Sequence, residues 1–376
     1  SESPFGTITN LVLTNSFISF SLSLNSGCTE DADGDKDEDY DEDTDPNALT
    51  YVPDDNFEQV LIERGYDDVL DNYVLTANIR NITGQLSLWK GDESYGIIDL
   101  TGIGGFQSVE EIFIKKNNIT ELVLPNMPKL KRVFGGNNNI QNVNFSNTPN
   151  LTSIDLSRNN NLSSVDLSQL QNLEYFNCSS CNLSSIDLSL NSKLINLNLG
   201  VVGYLGCPDD NNGNDGFCKN HINEIDLTNN TLLKSLNLES STITELNISN
   251  QLELENLHRQ KASNLRIIDL SNNSSLNTIN IGGTQIEHID IGHLNQLQQF
   301  NATRSQLTSL DISNNQYIAV LSLIQMPSLN CITASQYHLE NQLLDGTIDG
   351  SSTYSLNNSI SACTNCNIYI SIDETI

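Results

Sequence analysis

Apolar residues return along this chain at a fixed interval, and few folds can accommodate that. One phase, read as apolar-x-x-apolar-x-apolar, starts at Val109, Leu130, Leu151, Leu173, Leu194, Leu233, Leu254, Leu276, Leu297 and Ile318. Adjacent starts lie 21 or 22 residues apart, except that Leu194 and Leu233 are 39 apart, one repeat plus an 18-residue insertion. Each repeat holds a second extended segment, such as Leu162-Ser-Ser-Val165-Asp-Leu167 or Leu183-Ser-Ser-Ile186-Asp-Leu188. Both segments end in period-2 alternation, the mark of a strand with one buried face. A repeat this short cannot hold a strand, a long helix and two turns. The pattern therefore predicts a β-rich solenoid with parallel strands on its concave face and an extended convex side. Ten coils at the strand spacing of about 4.8 Å span about 48 Å.

The run Leu-x-x-Ile-x-Leu-x-x-Asn from Leu151 to Asn159 is the leucine-rich-repeat signature. Such scaffolds stack coils that touch only their neighbours, and they bind rather than catalyse. Asn117, Asn138 and Asn159 occupy the ladder position of the first coils, where a buried amide can satisfy backbone groups at the turn. Cys181, Ser241, Thr284 and Ser305 hold that place later, so the ladder is expected to weaken toward the C-terminus.

The first repeat must be sealed. Asp55 with Glu58 reads as a capping-box start, Phe57, Val60 and Leu61 share one helical face, and Gly65 is a stop. This short helical cap should close the open end of the first coil. The segments Val52-Pro-Asp-Asp-Asn-Phe-Glu, Gly65-Tyr-Asp and Leu75-Thr-Ala-Asn-Ile79, with repeats such as Leu-Thr-Ser-Ile-Asp-Leu-Ser, resemble the cap and coils of leucine-rich-repeat proteins from Bacteroidota. The resemblance covers about residues 51–365 and implies a surface or secreted protein. It also implies a Cys331–Cys363 bridge closing the C-terminal cap, with Cys366 left over.

The organisation that follows is a leader over 1–28, an acidic tether over 29–50 and a cap with the first coil over 51–108. Repeats fill 109–330, with the insertion at 200–220, and a second cap fills 331–376. The apolar run Leu11–Leu24 is too short to span a bilayer but suits a signal-peptide core. Ser26-Gly27-Cys28 behind it resembles a bacterial lipobox, which implies lipid on Cys28. Thr29-Glu30-Asp31 resembles a surface-export signal. Against these stand a start at Ser1 and the lack of Lys or Arg before the run, as in a Ser-rich leader.

Formal net charge is −30, and the run Glu30–Asp45 carries about a third of it. That excludes nucleic acid, which needs a basic stripe. Such a run stays disordered or wraps a hard cation. Asp209, Asp210, Asn212, Asn214 and Asp215 in the insertion offer oxygens for calcium, though the spacing departs from a calcium loop and no Glu closes it. Cys207 and Cys218 bracket that loop closely enough to staple it. Asp166, Asp187, Asp226, Asp269, Asp290 and Asp311 form an outward row, read as a repeated solubility device that discourages edge pairing. Cys178 and Cys181 fall on inward positions and read as buried core sulfurs rather than a zinc or redox pair.

Concave positions read mostly Asn, Ser, Thr, Gln and Gly. The first coils differ. Phe113, Lys115, Lys116, Lys131, Arg132, Phe134, Arg158 and Tyr175 gather aromatic and basic side chains, with His258 on the same column further along. Aromatics beside cations suit a protein or glycan partner. No nucleophile elbow, HExxH or phosphate loop is present. The expected molecule is a monomeric, non-enzymatic binding protein on the cell surface or secreted, held to the membrane only through lipid. The other reading is a glycan-binding lipoprotein of a polysaccharide-capture system.

Overall fold

The computed structural model describes residues 45–201, 219–259, 264–329, 331–335 and 369–371, and the folded unit begins at Pro46. The fold is a leucine-rich-repeat solenoid whose concave face is one parallel sheet of 11 strands, running from Gly84–Ser87 through Val109–Phe113 to Val320–Ser322. The strand Gly84–Ser87 precedes the ten regular starts, and a register shift at Gly84/Gln85 takes it out of their phase. Convex segments pair only locally, as Glu121–Val123 does with Asn142–Asn144. At the far end Cys331–Ser335 extends this convex row, paired with Ser309–Asp311 and with Tyr369–Ser371.

The repeated apolar positions all point inward. Leu151, Ile154, Leu156 and Leu162 are fully buried, as are their counterparts in neighbouring coils. At about 25 cal/mol per Å² this burial is the dominant favourable contribution. It does not by itself fix the spacing between coils. Backbone pairing of the concave strands sets it, and amide side chains lock the corners to it. Asn138 Nδ2 donates to Ile114 O of the previous coil at 2.8 Å and to Gly135 O of its own at 3.1 Å, while its Oδ1 accepts from Ile119 N at 3.2 Å. Asn117 and Asn159 repeat the arrangement.

Asn220 resumes the ladder beyond the insertion, donating to Cys178 O and Leu199 O at 2.8 Å. A second amide ladder stands at the opposite corner of the coil. Asn191, Asn230, Gln251, Asn273 and Asn315 are buried three residues before their repeat starts, and each donates to two carbonyls of the preceding coil. It strengthens in the later coils, where the first ladder dwindles to Ser241, Thr284 and Ser305.

The outward aspartates are turn formers. Asp166, Asp187, Asp226, Asp269 and Asp311 each accept the N–H two residues on at 2.9 Å, and Asp290 does so at 3.0 Å. These Asx turns give the row a structural role beyond solubility. The backbone N–H of Ser168 and Ser271 chiefly holds Asp166 and Asp269 below the usual carboxyl range; the hydroxyls of Ser189 and Thr228 do so for Asp187 and Asp226.

The cap also departs from its reading. Leu49–Tyr51, expected to lie mostly in the tether, is a strand paired antiparallel with Tyr73–Leu75. The helix Asp55–Glu63 is capped by Asp54, not Asp55. Asp54 Oδ1 accepts from Asn56 N and Phe57 N at 3.0 Å, and Oδ2 from Ile98 N at 2.7 Å and Asp99 N at 3.0 Å. One carboxylate thus starts the helix and clasps it to the first coil. Glu58 is fully buried and turns the other way, accepting from Asp71 N at 3.0 Å and Tyr73 N at 3.1 Å. Phe57, Val60 and Leu61 seal the coil as expected, with Phe57 6.5 Å from the Phe106 ring. Gly65 ends the helix in the left-handed region at φ 73°.

Two core positions are unusual. Cys178 and Cys181 are buried as expected, but they are joined as a disulfide rather than standing as two small thiols. Arg259 is fully buried where the coils on either side place Leu238 and Ile281. Its guanidinium donates to Leu238 O at 3.1 Å, to Ser241 Oγ and to Ile243 O at 2.6 Å. Burial pushes its pKa down to about 10, so it stays charged at neutral pH.

Asp54→Ala should lower stability by about 1–2 kcal/mol from the lost cap alone, read as a lower urea midpoint; an unchanged midpoint would disprove the clasp. Arg259→Leu restores the apolar column and removes a buried charge, an exchange that is often neutral or stabilising. We expect a melting temperature equal to or above the parent's, and a clear fall would mean that the guanidinium's backbone bonds outweigh its desolvation.

Candidate functional site

The concave sheet has three outward positions per coil, and in-register parallel pairing turns them into columns. In one column Ser87, Phe113, Phe134, Asp155 and Asn177 follow one another. Phe113 and Phe134 stack with ring centroids 4.4 Å apart and planes 14° apart. Both are partly exposed. Register alone brings them together, since they stand 21 residues apart in the chain.

Lys115 Nζ lies 5.3 Å from the centre of the Phe134 ring and 2.7 Å from Asp155 Oδ2. Asp155 is 7% exposed and also accepts from Ser157 N at 3.0 Å and from Asn177 Nδ2 at 3.1 Å. Asp155 is the site residue the sequence reading missed. Its signal was available: further along the same column stand Asn177, Asn198, Asn237, Asn280 and Asn301, each accepting the N–H two residues on. Their amide oxygens hold turns, so this column is less free for a partner than its composition suggests. Gly200 fits the same geometry, because a Cβ there would collide with Asn237.

The remaining basic residues are not free charges. Lys131 pairs with Glu110 at 2.8 Å, Arg132 pairs with Glu111, and Lys116 pairs with Asp92 at 3.0 Å. The hydrogen bond from Lys131, and then its charge, keep the Glu110 carboxyl below the usual range. The sequence grouped the cations because their acidic partners sit one repeat away. Lys116 and Arg158 lie past the strand ends in left-handed turns, at φ 55° and 59°. Arg158 reaches Asn137 Oδ1 at 3.4 Å. Tyr175 is half-buried two strands from Phe134, and burial, then the Asp155 charge, push its phenol up. His258 shares the column but sits six strands on from Phe113.

The calcium candidates Asp209, Asp210, Asn212, Asn214 and Asp215 lie outside the described residues, as do Cys28, Cys207, Cys218 and Cys363. The backbone of Cys331 lies in the last convex strand but one. Among the described residues no cluster of His, Cys, Asp or Glu could hold a metal ion, and no helix is long and apolar enough to cross a membrane.

No protein-family model matches the chain. No curated protein matches it. Solved structures do. An internalin from Listeria monocytogenes superposes with a TM-score of 0.54 at 20% identity, over 80% of this chain and 95% of that one. Internalin C2 from the same species gives 0.47 at 19% identity, over 60% of this chain and 92% of that one. A leucine-rich-repeat protein from Leptospira interrogans gives 0.39 at 15%, over 72% and 91%. The first of these likenesses bears out the fold, and at such identity it speaks to the fold alone.

The half-buried His258 has a pH consequence. Burial lowers its pKa from 6.5, so the unfolded chain takes up its proton first as pH falls. Its share of stability is complete above about 6.5 and is lost as pH drops through the lowered folded value. His258→Asn restores the residue found at Asn237 and Asn280. Urea titrations at several pH values should show a shallower acid loss in the variant; parallel curves for the two proteins would disprove the assignment.

Proposed function

We propose that the chain is a cell-surface leucine-rich-repeat module that binds a protein partner on the concave face of its first four coils. The observation that carries this is the stacked Phe113–Phe134 pair. Partly exposed aromatics in register on a rigid sheet supply contact area at little entropic cost, as interface anchors do. The two rings cover each other's inner faces, and Lys115 lies over Phe134. A sugar stacks on a free ring face, and each of these rings gives one face to the other, so a protein surface is favoured over a glycan. Surface display through lipid at Cys28 belongs to the same proposal, supported by Leu11–Leu24 and by Ser26-Gly27-Cys28. So does calcium at 209–215, supported by its donor set alone. The role is one of binding, with no reacting group assigned.

The test is a Phe134→Ala, Tyr175→Ala double variant. Both side chains point outward from the strand pattern, unlike Val133 and Phe176, which are fully buried. The variant should keep the parent's melting temperature and lose capture of bacterial or host surface proteins by at least about tenfold. A glycan array run beside the pull-down decides between partner classes. Capture unchanged in the variant moves the site off this face.

A further inference from the structure

Asp155 carries a charge that its turn does not need. Asn177, Asn198, Asn237, Asn280 and Asn301 hold the same turn with an amide oxygen. In this one coil a carboxylate stands instead, 7% exposed, beside an aromatic pair at the surface. A carboxylate next to a ring face is the constellation that holds an organic cation, by charge-assisted hydrogen bonding and by attraction to the ring quadrupole. The site is occupied from within: Lys115 reaches past Phe134 to Asp155.

We propose that Asp155, Phe134 and Phe113 form a seat for a lysine or arginine side chain of a basic protein partner, and that Lys115 fills this seat in the free chain. The proposal rests on concave-face docking and names its partner's chemistry. Lys115 keeps the buried carboxylate paired until a partner arrives, which avoids the cost of an uncompensated charge. Its own side chain is 29% exposed, so it can swing out to solvent when displaced. Charge complementarity points the same way. Net charge is −30, and Lys131, Arg132 and Lys116 are matched by Glu110, Glu111 and Asp92. Long-range attraction therefore draws a basic partner and repels an acidic one.

The experiment uses the full chain, with octalysine and octaglutamate peptides as probes at one fixed salt concentration. The signal is the emission of Trp89, the only tryptophan, whose chain neighbour Leu88 donates its N–H to Phe113 O, two residues before Lys115. Asp155→Asn keeps the turn acceptor that the other coils use and should fold. It should weaken octalysine binding about tenfold, the scale of one hydrogen bond to a charged group. Lys115→Met removes the competing occupant and should tighten binding several-fold. Octaglutamate should bind neither variant. Unchanged octalysine affinity in Asp155→Asn, or weaker affinity in Lys115→Met, overturns the seat. If the seat fails in this way while Phe134→Ala, Tyr175→Ala still loses its captured partner, concave docking stands without it. If every variant behaves as the parent in both assays, both readings fall.

Discussion

Every coil in this molecule must satisfy its corner backbone groups through its neighbours. A parallel turn of 21 or 22 residues has no hairpin partner to do it. A buried donor or acceptor left without a partner costs about 1–3 kcal/mol, and a solenoid repeats that cost at each corner. The leucines keep water out but would tolerate a slip between coils. The amides do not. Asn138 donates to its own coil and the previous one, and Asn273 donates twice to the previous coil, so the corners are locked at the strand spacing that backbone pairing sets. The concave columns inherit their register from this, and so does the Phe113–Phe134 stack.

How much of this is legible in the sequence depends on whether a residue's role repeats in an alphabet that differs from its surroundings. The inward Leu and Ile positions stand out against polar neighbours, so solenoid, sheet order and inward faces follow directly. The ladder at Asn117, Asn138 and Asn159 stands out because the same residue recurs at one place in three successive repeats. The second ladder does not. Asn191, Asn230 and Gln251 sit in turns already rich in Asn, Ser and Thr, where one buried amide looks like any solvated one. The aspartate row was visible as a row, but only geometry shows that each Oδ1 is committed to an N–H. Asp54 was passed over for Asp55 because two adjacent acids are equivalent to a pattern, whereas only one faces both the helix and Ile98.

The candidate site was legible in part, for a related reason. Phe113, Phe134 and Tyr175 are conspicuous on a polar face. The basic residues were conspicuous too, and that misled, since a cation and its partner one coil away look unrelated along the chain. Glu110 and Lys131 become neighbours only when two coils stack. A repeat protein should therefore be read down its columns as well as along its chain. Read that way, Lys131 and Arg132 stand directly beside Glu110 and Glu111.

Columns also separate two kinds of exception. Arg259 breaks an inward column of Leu238 and Ile281, and among the described residues its guanidinium donates to carbonyls and a hydroxyl of its own scaffold, fully buried. Asp155 breaks an outward column of asparagines while still performing their turn function. An inward exception is constrained by what the coil must tolerate. An outward exception that preserves the turn is open to whatever the face must do. Asn at 155 would hold the backbone equally well, so the carboxylate there answers to something other than the fold. The cation nearest to it, Lys115 at 2.7 Å, shows which chemistry the position accepts.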